Sequence, residues 1–251
     1  MIPIPNIIST LSLIALSSGL ALAQSLPPSY PGPGAKGSGA SAARKQPPAP
    51  VASKPTGIAP GQALAELQAG NQRYLRGGVY THSWLQERIQ KTGSEGQSPS
   101  VAILSCADSR VPVELIFDQG VGSLFVVRIA GNFQSEDALG TFEFGFAGLG
   151  CHTLMVLGHT ECGAVAAARA GAQLPGNMSA FVRAIRPGLE AYPGGVEAIK
   201  STNDAAEVNV RWQLQQLLAR SEILRKAKED GKLQVLMGIY DVTTGVVRFI
   251  N

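Results

Sequence analysis

The stretch Val101-Ala102-Ile103-Leu104-Ser105-Cys106-Ala107-Asp108-Ser109-Arg110 decides the fold. Apolar residues rich in β-branching give way abruptly to small and charged ones, the pattern of a buried strand that ends in a functional loop. A second stretch repeats the design: Thr153-Leu154-Met155-Val156-Leu157 runs into Gly158-His159-Thr160-Glu161-Cys162-Gly163. In an open parallel sheet such strand ends meet at the carboxyl edge, where α/β folds bind ligands. Cys106, His159 and Cys162 are therefore expected to converge on one ion.

Outward from these two strands, the rest of the chain reads as alternating elements. Leu64, Leu67, Ala69, Tyr74 and Leu75 predict a helix from Pro60 to the Gly77-Gly78 stop. A polar loop follows, carrying His82 as a surface residue and Trp84, and ending in Gly96-Gln97-Ser98-Pro99. Pro112 suits the first position of a short helix through Phe117. Leu124 to Ala130 reads as a second strand, Glu136 to Leu149 as a helix, and Gly163 onward as another helix. Residues 178–230 read as helical, with breaks at Pro187-Gly188 and Pro193-Gly194-Gly195. Leu233 to Tyr240 gives a fourth strand, and Val246 to Phe249 a short antiparallel one after the Thr244-Gly245 turn. The sum is an α/β fold: a mostly parallel central sheet of four strands plus a short antiparallel edge strand, flanked by helices.

Composition sets the bounds. At 251 residues and 45% hydrophobic content, the chain can bury a sizeable single core. Residues 1–23 hold an apolar run from Ile7 and end in Ala21-Leu22-Ala23, which reads as a cleavable secretory signal and implies a periplasmic or secreted protein. No cysteine follows that site, and no later segment is apolar enough to span, so no stable membrane span is expected after cleavage. Residues 24–58 are rich in Pro, Gly, Ser and Ala and read as a disordered linker before a folded domain at 59–251. The first 57 residues carry four basic and no acidic side chains, so the net charge of +3 falls to −1 without them. A near-neutral body offers no electrostatic footprint for nucleic acid.

Two thiolates and one imidazole suit Zn2+, and three protein ligands that leave one position open are the arrangement of a catalytic site. Asp108 lies two residues from a ligand and can reach the metal or its solvent, and Arg110 gives that carboxylate a bidentate partner. Asp108 can accept a hydrogen bond there, or swing in as a fourth ligand in a closed state. The cysteine phosphatase and rhodanese loop is a rival reading, but it places five residues between cysteine and arginine, and three intervene here. A disulfide among Cys106, Cys151 and Cys162 is the other rival. It would leave His159, Asp108 and Arg110 beside the thiols without a reason. Cys151 and His152 read as packing residues.

Cys106-Ala107-Asp108-Ser109-Arg110 and His159-Thr160-Glu161-Cys162-Gly163 resemble the two signature motifs of β-class carbonic anhydrases. The resemblance covers about residues 60–251 and extends to Arg128-Ile129-Ala130-Gly131-Asn132 and Gly238-Ile239-Tyr240-Asp241. It implies zinc on Cys106, His159 and Cys162, an Asp108–Arg110 dyad, and a homodimer or dimer of dimers with the site near the subunit interface. It also implies that Gln97 binds substrate and that Phe125 belongs to an apolar wall. The implied reaction is reversible hydration of carbon dioxide to bicarbonate by hydroxide on zinc. A catalytically silent zinc-stabilised scaffold of the same fold is the alternative. Phe144 stands where plant-type members carry tyrosine, and Ile103 and Ser105 stand where the bicarbonate-inhibited branch carries tryptophan and glycine. An active site open at neutral pH is therefore expected.

Overall fold

The computed structural model describes residues 58, 59, 61–77 and 85–251. The signal and linker readings, apart from Ile58, fall outside that range, as do Pro60, His82 and Trp84. Five strands form one sheet: β1 (Val101–Ser105), β2 (Leu124–Arg128), β3 (Thr153–His159), β4 (Gln234–Tyr240) and β5 (Val247–Ile250). Their order is β2-β1-β3-β4-β5. The first four run parallel, and β5 pairs antiparallel with β4 through Tyr240 and Val247. The sheet architecture is thus the expected one.

Both faces of β1 and β3 are buried, which is why these strands read as continuous apolar runs rather than alternating ones. Ala102, Leu104, Leu154 and Val156 face one core, shared with helices α4 (Glu136–Leu149), α5 (Gly163–Arg169), α6 (Ser179–Glu190) and α7 (Thr202–Arg220). Val101, Ile103, Met155 and Leu157 face the other, under α1 (Ala63–Leu75) and α3 (Val113–Ile116). A further helix, α8 (Glu222–Glu229), leads into β4. No helix among the described residues is long and apolar enough to cross a membrane.

Several local expectations need correction. The buried face of α1 is Ala63, Leu67, Gly70 and Asn71, while Ala69 and Leu75 point outward. Asn71 replaces an apolar contact with hydrogen bonds: its amide donates to the Ile116 and Gly245 carbonyls, and its oxygen accepts from the Val247 N–H. The polar stretch before Gln97 contains a helix, α2 (Leu85–Glu95), which buries none of its residues and whose only large apolar side chains, Leu85 and Ile89, are too few to signal a core-facing helix. Pro112 caps α3 from outside, with ψ at 90°, rather than opening it. The second strand ends at Arg128, because Gly131 and Asn132 take positive φ and turn the chain.

Pro187-Gly188 does not break the chain but lies inside α6. The helix persists because Gly188 receives the Trp212 indole of α7, so close that a Cβ there would sit 2.3 Å from Trp212 Cγ. That contact between helices outweighs the lost backbone bond at proline. The break at Pro193-Gly194-Gly195 is present, with both glycines at positive φ.

Candidate metal centre

The strand order places the site. From β1 the chain moves to β2 on one side, then crosses back to β3 on the other. A crevice opens where the direction reverses, between the carboxyl ends of β1 and β3. Cys106 follows β1 directly, His159 is the last residue of β3, and Cys162 precedes the first residue of α5. Their ligand atoms lie within 4.8 Å of one another, and all three residues are buried. Sequence positions 106, 159 and 162 are thus brought together as expected.

The hydrogen bonds fix the state of each group. His159 is fully buried, with Nδ1 2.8 Å from the Thr160 carbonyl oxygen. A carbonyl only accepts, so Nδ1 carries the proton and Nε2 presents its lone pair. Nε2 has no hydrogen-bond partner, an arrangement a buried polar atom rarely keeps unless something binds there.

Cys106 is held well below the ordinary thiol range, chiefly because the Cys162 thiol donates to it, with the Gly131 and Asp108 amides adding to the effect. Those amides lie 3.2 and 3.4 Å from its sulfur. Cys162 is held upward, first because its proton is shared with Cys106 and then by burial. The amides of Ala164 and Val165 at the start of α5 pull the other way. The two sulfurs thus compete for one proton, and a cation between them would favour both as thiolates. All three cysteines, Cys151 included, are free. Cys151 is a buried thiol pushed up to about 12 by desolvation, and His152 bonds to Thr153 and to the Ile58 carbonyl.

Asp108 is the only carboxylate facing the cluster among the described ion pairs. Its Oδ2 lies 4.0 Å from His159 Nε2. Arg110 grips it twice, Nε to Oδ1 at 3.0 Å and Nη2 to Oδ2 at 2.8 Å, and the Arg110 backbone N–H adds a third bond. The guanidinium hydrogen bond is the first cause that lowers this carboxyl to about 2. Arg110 also donates to the Glu161 carbonyl and so ties the two ligand loops together. The phosphatase-type reading fails on this geometry, since the arginine serves a carboxylate rather than a loop of amides.

Gln97 and Phe125 lie elsewhere. Gln97 is exposed, ahead of β1, and Phe125 pairs with Ala102 in the first half of that strand. The five residues of β1 rise about 3.3 Å each, so both sit at the amino edge of the sheet, away from the Cys106, His159 and Cys162 cluster. Phe125 packs near Phe144, with ring centroids 6.3 Å apart, and Phe144 is 52% exposed.

Other supporting residues escaped the sequence reading. Arg128 donates to the carbonyls of Cys106 and Asp108 at 3.1 and 2.7 Å, holding the loop after β1. Asn203 accepts from the N–H of Glu161, whose φ of 56° is left-handed. Asn209 and Gln213 are buried amides within the otherwise apolar face of α7. The signal was present, because two amides interrupting an Ala205, Ala206, Val210, Leu214, Leu217 stripe demand polar partners.

A strand-end cluster of two cysteines and one histidine, with an arginine-bound carboxylate beside it, defines an α/β protein whose site could hold a metal ion. The sequence model of the carbonic anhydrase family matches residues 101–247. Carbonic anhydrase 2 of Mycobacterium tuberculosis is 33% identical over 192 residues, covering 74% of this chain and 90% of the relative. Among solved structures, the β-carbonic anhydrase CafA of Aspergillus fumigatus superposes with a TM-score of 0.60 at 26% identity, covering 75% of this chain and 91% of that one. The tetrameric β-carbonic anhydrases of Sordaria macrospora share the fold, with a TM-score of 0.60 at 19% identity over 76% of this chain and 98% of theirs. This chain belongs to the carbonic anhydrase family, in its β class.

Proposed function

We propose that the protein is a zinc enzyme that reversibly hydrates carbon dioxide to bicarbonate and a proton. The observation that carries this reading is the convergence of Cys106, His159 and Cys162 on one point, with an unpartnered His159 Nε2 and an arginine-held Asp108 beside it. The donor set fits the metal: Zn–S and Zn–N bonds of about 2.3 and 2.0 Å put tetrahedral ligand atoms roughly 3.5–3.8 Å apart, compatible with atoms within 4.8 Å of one another. Two thiolates side by side would also gain from a cation between them.

Bound zinc would supply acidified water as the nucleophile, at a pKa of about 7. The protein's part is orientation. Asp108 stays ionised across the working range and can only accept a hydrogen bond, so it turns the attacking oxygen's proton toward itself and its lone pair toward the carbon. Arg110 keeps that carboxylate from swinging into the metal, which favours the open over the closed state. Arg128 holds the carbonyls on either side of Ala107 and so fixes where Asp108 stands.

Carbon dioxide needs an apolar wall and a donor, roles the family resemblance gives to Phe125 and Gln97. Because both lie at the amino edge in this protomer, we infer that they serve a second protomer's cluster. The edge strand β2 and the exposed Phe144 beside Phe125 supply a surface for such pairing. The neighbours described as tetrameric are consistent with a homodimer or dimer of dimers. We also infer export, from residues 1–23.

Stopped-flow hydration of carbon dioxide together with metal analysis tests the whole reading. The unmutated chain is expected to hold about one zinc and to hydrate rapidly. Cys162→Ser is expected to lose both, and Asp108→Ala to keep the zinc while losing at least about tenfold in rate. A fully active Asp108→Ala, or a folded reduced protein that takes up no metal, refutes it.

A further inference from the structure

Behind the ligand cysteines runs a chain of buried amides that the chemistry above does not use. Gln213 is anchored at both ends: its oxygen accepts from the Gln134 N–H at 2.9 Å, and its nitrogen donates to the Ala184 carbonyl at 3.2 Å and to Asn209 Oδ1 at 3.0 Å. Asn209, one turn earlier on α7 and fully buried, donates Nδ2 to the Gly131 carbonyl at 3.0 Å. Gly131 in turn donates its N–H to Cys106 Sγ at 3.2 Å. Three hydrogen bonds therefore connect the middle of α7 to a ligand sulfur.

Gly131 is the sensitive link. Its φ of 82° is open to glycine, and Ile185 Cδ1 lies 2.6 Å from where a Cβ would stand. Without a side chain to restrain it, the residue relies on its carbonyl for orientation, and Asn209 holds that carbonyl. The Gly131 and Ala184 carbonyls and the Gln134 N–H are backbone groups that need partners, so these amides also support the fold. An N–H aimed at a thiolate does something packing cannot: it withdraws charge from the sulfur and sets its donor strength toward a metal.

We propose that Asn209, held in place by Gln213, is a positioning residue for the metal centre: it locks Gly131 so that its N–H meets the Cys106 sulfur. The inference rests on reading the cluster as a metal site. Removing such a support costs about tenfold to a hundredfold in metal affinity.

The test uses the full chain, loaded with zinc for chelator competition and with cobalt(II) for the sulfur-to-metal charge-transfer band. Asn209→Leu is expected to keep the near-UV circular dichroism of the metal-free fold, lose about tenfold to a hundredfold in zinc affinity, and shift the cobalt band. Asn71→Leu is the control. It removes a comparable buried amide, between α1 and the β4–β5 turn, and is expected to lower the melting temperature with zinc affinity and cobalt band unmoved.

An unmutated protein that binds no metal overturns the metal reading itself. A loaded unmutated protein with an Asn209→Leu variant of equal affinity and identical band overturns this inference alone. If Asn209→Leu does not fold, Gln213→Leu decides, with a smaller loss in the same direction expected and no change overturning it. In the unmutated chain loaded with cadmium-113, the Gly131 amide proton must couple to the metal through the sulfur, and a missing coupling has the same consequence.

Discussion

Gly158→Ala tests whether the packing of α7 on β3 fixes the ligand histidine. Gly158 precedes His159 in the strand, and its missing side chain faces α7. An added Cβ would stand 2.6 Å from Val210 Cγ2, 3.0 Å from Ile239 Cδ1 and 3.6 Å from the Ala206 carbonyl. Ordinary carbon contacts begin near 3.5 Å, so Val210 must retreat by about 1 Å. Val210 is fully buried and stiff about χ1 in a helix, so the helix moves or the strand does. Overpacking of this kind costs about 1–3 kcal/mol. At roughly 2–4 °C per kcal/mol for a domain of this size, the melting temperature should fall by about 2–12 °C. Metal geometry tolerates only about 0.2 Å, so zinc affinity should fall as well.

The assay is calorimetric melting with and without metal, alongside chelator competition. Gly163→Ala is the reference, since nothing lies within 4 Å of its added Cβ, and its melting temperature is expected to hold or rise slightly. A Gly158→Ala protein that melts within a degree of the unmutated one and binds zinc equally well refutes the reasoning.

Two other outcomes follow from the site and its surface. Asp108 has a folded-state pKa of about 2 against 3.8, first through its Arg110 hydrogen bond. The pair therefore stabilises fully above about pH 4, and that contribution is lost as pH falls toward 2. Arg110→Gln should show a urea-midpoint deficit that is constant above about pH 5 and closes below about pH 4, whereas a deficit that widens in acid contradicts the assignment. Phe144→Glu places a charge on a side chain already 52% exposed in the protomer. On the proposed pairing through β2 and α4 it should leave folding intact and convert the assembly to a monomer by sedimentation velocity, and an unmutated protein and variant that sediment alike refute that pairing surface.

Much of this molecule was legible in its residues. The β-branched runs 101–104 and 153–157 stop at polar loops, and that alone indicated parallel strands, their order along the chain and Cys106, His159 and Cys162 as a candidate ligand set. What stayed hidden was hidden for physical reasons. Helix α2 offers only Leu85 and Ile89 as large apolar residues in a charged stretch, and Pro187-Gly188 continues α6 only because Trp212 comes from another helix to fill the space. The tautomer of His159, the grip of Arg110 on Asp108, and the line of amides from Gln213 to Cys106 depend on atoms from residues up to about eighty positions apart. Residue types and local spacing determined which chemistry is available, because soft ligands at strand ends suit a metal wherever the chain carries them. Only the folded arrangement decided that Gln97 and Phe125 stand at the opposite edge from the cluster of their own chain, because a five-residue strand separates its two ends by more than any side chain can span.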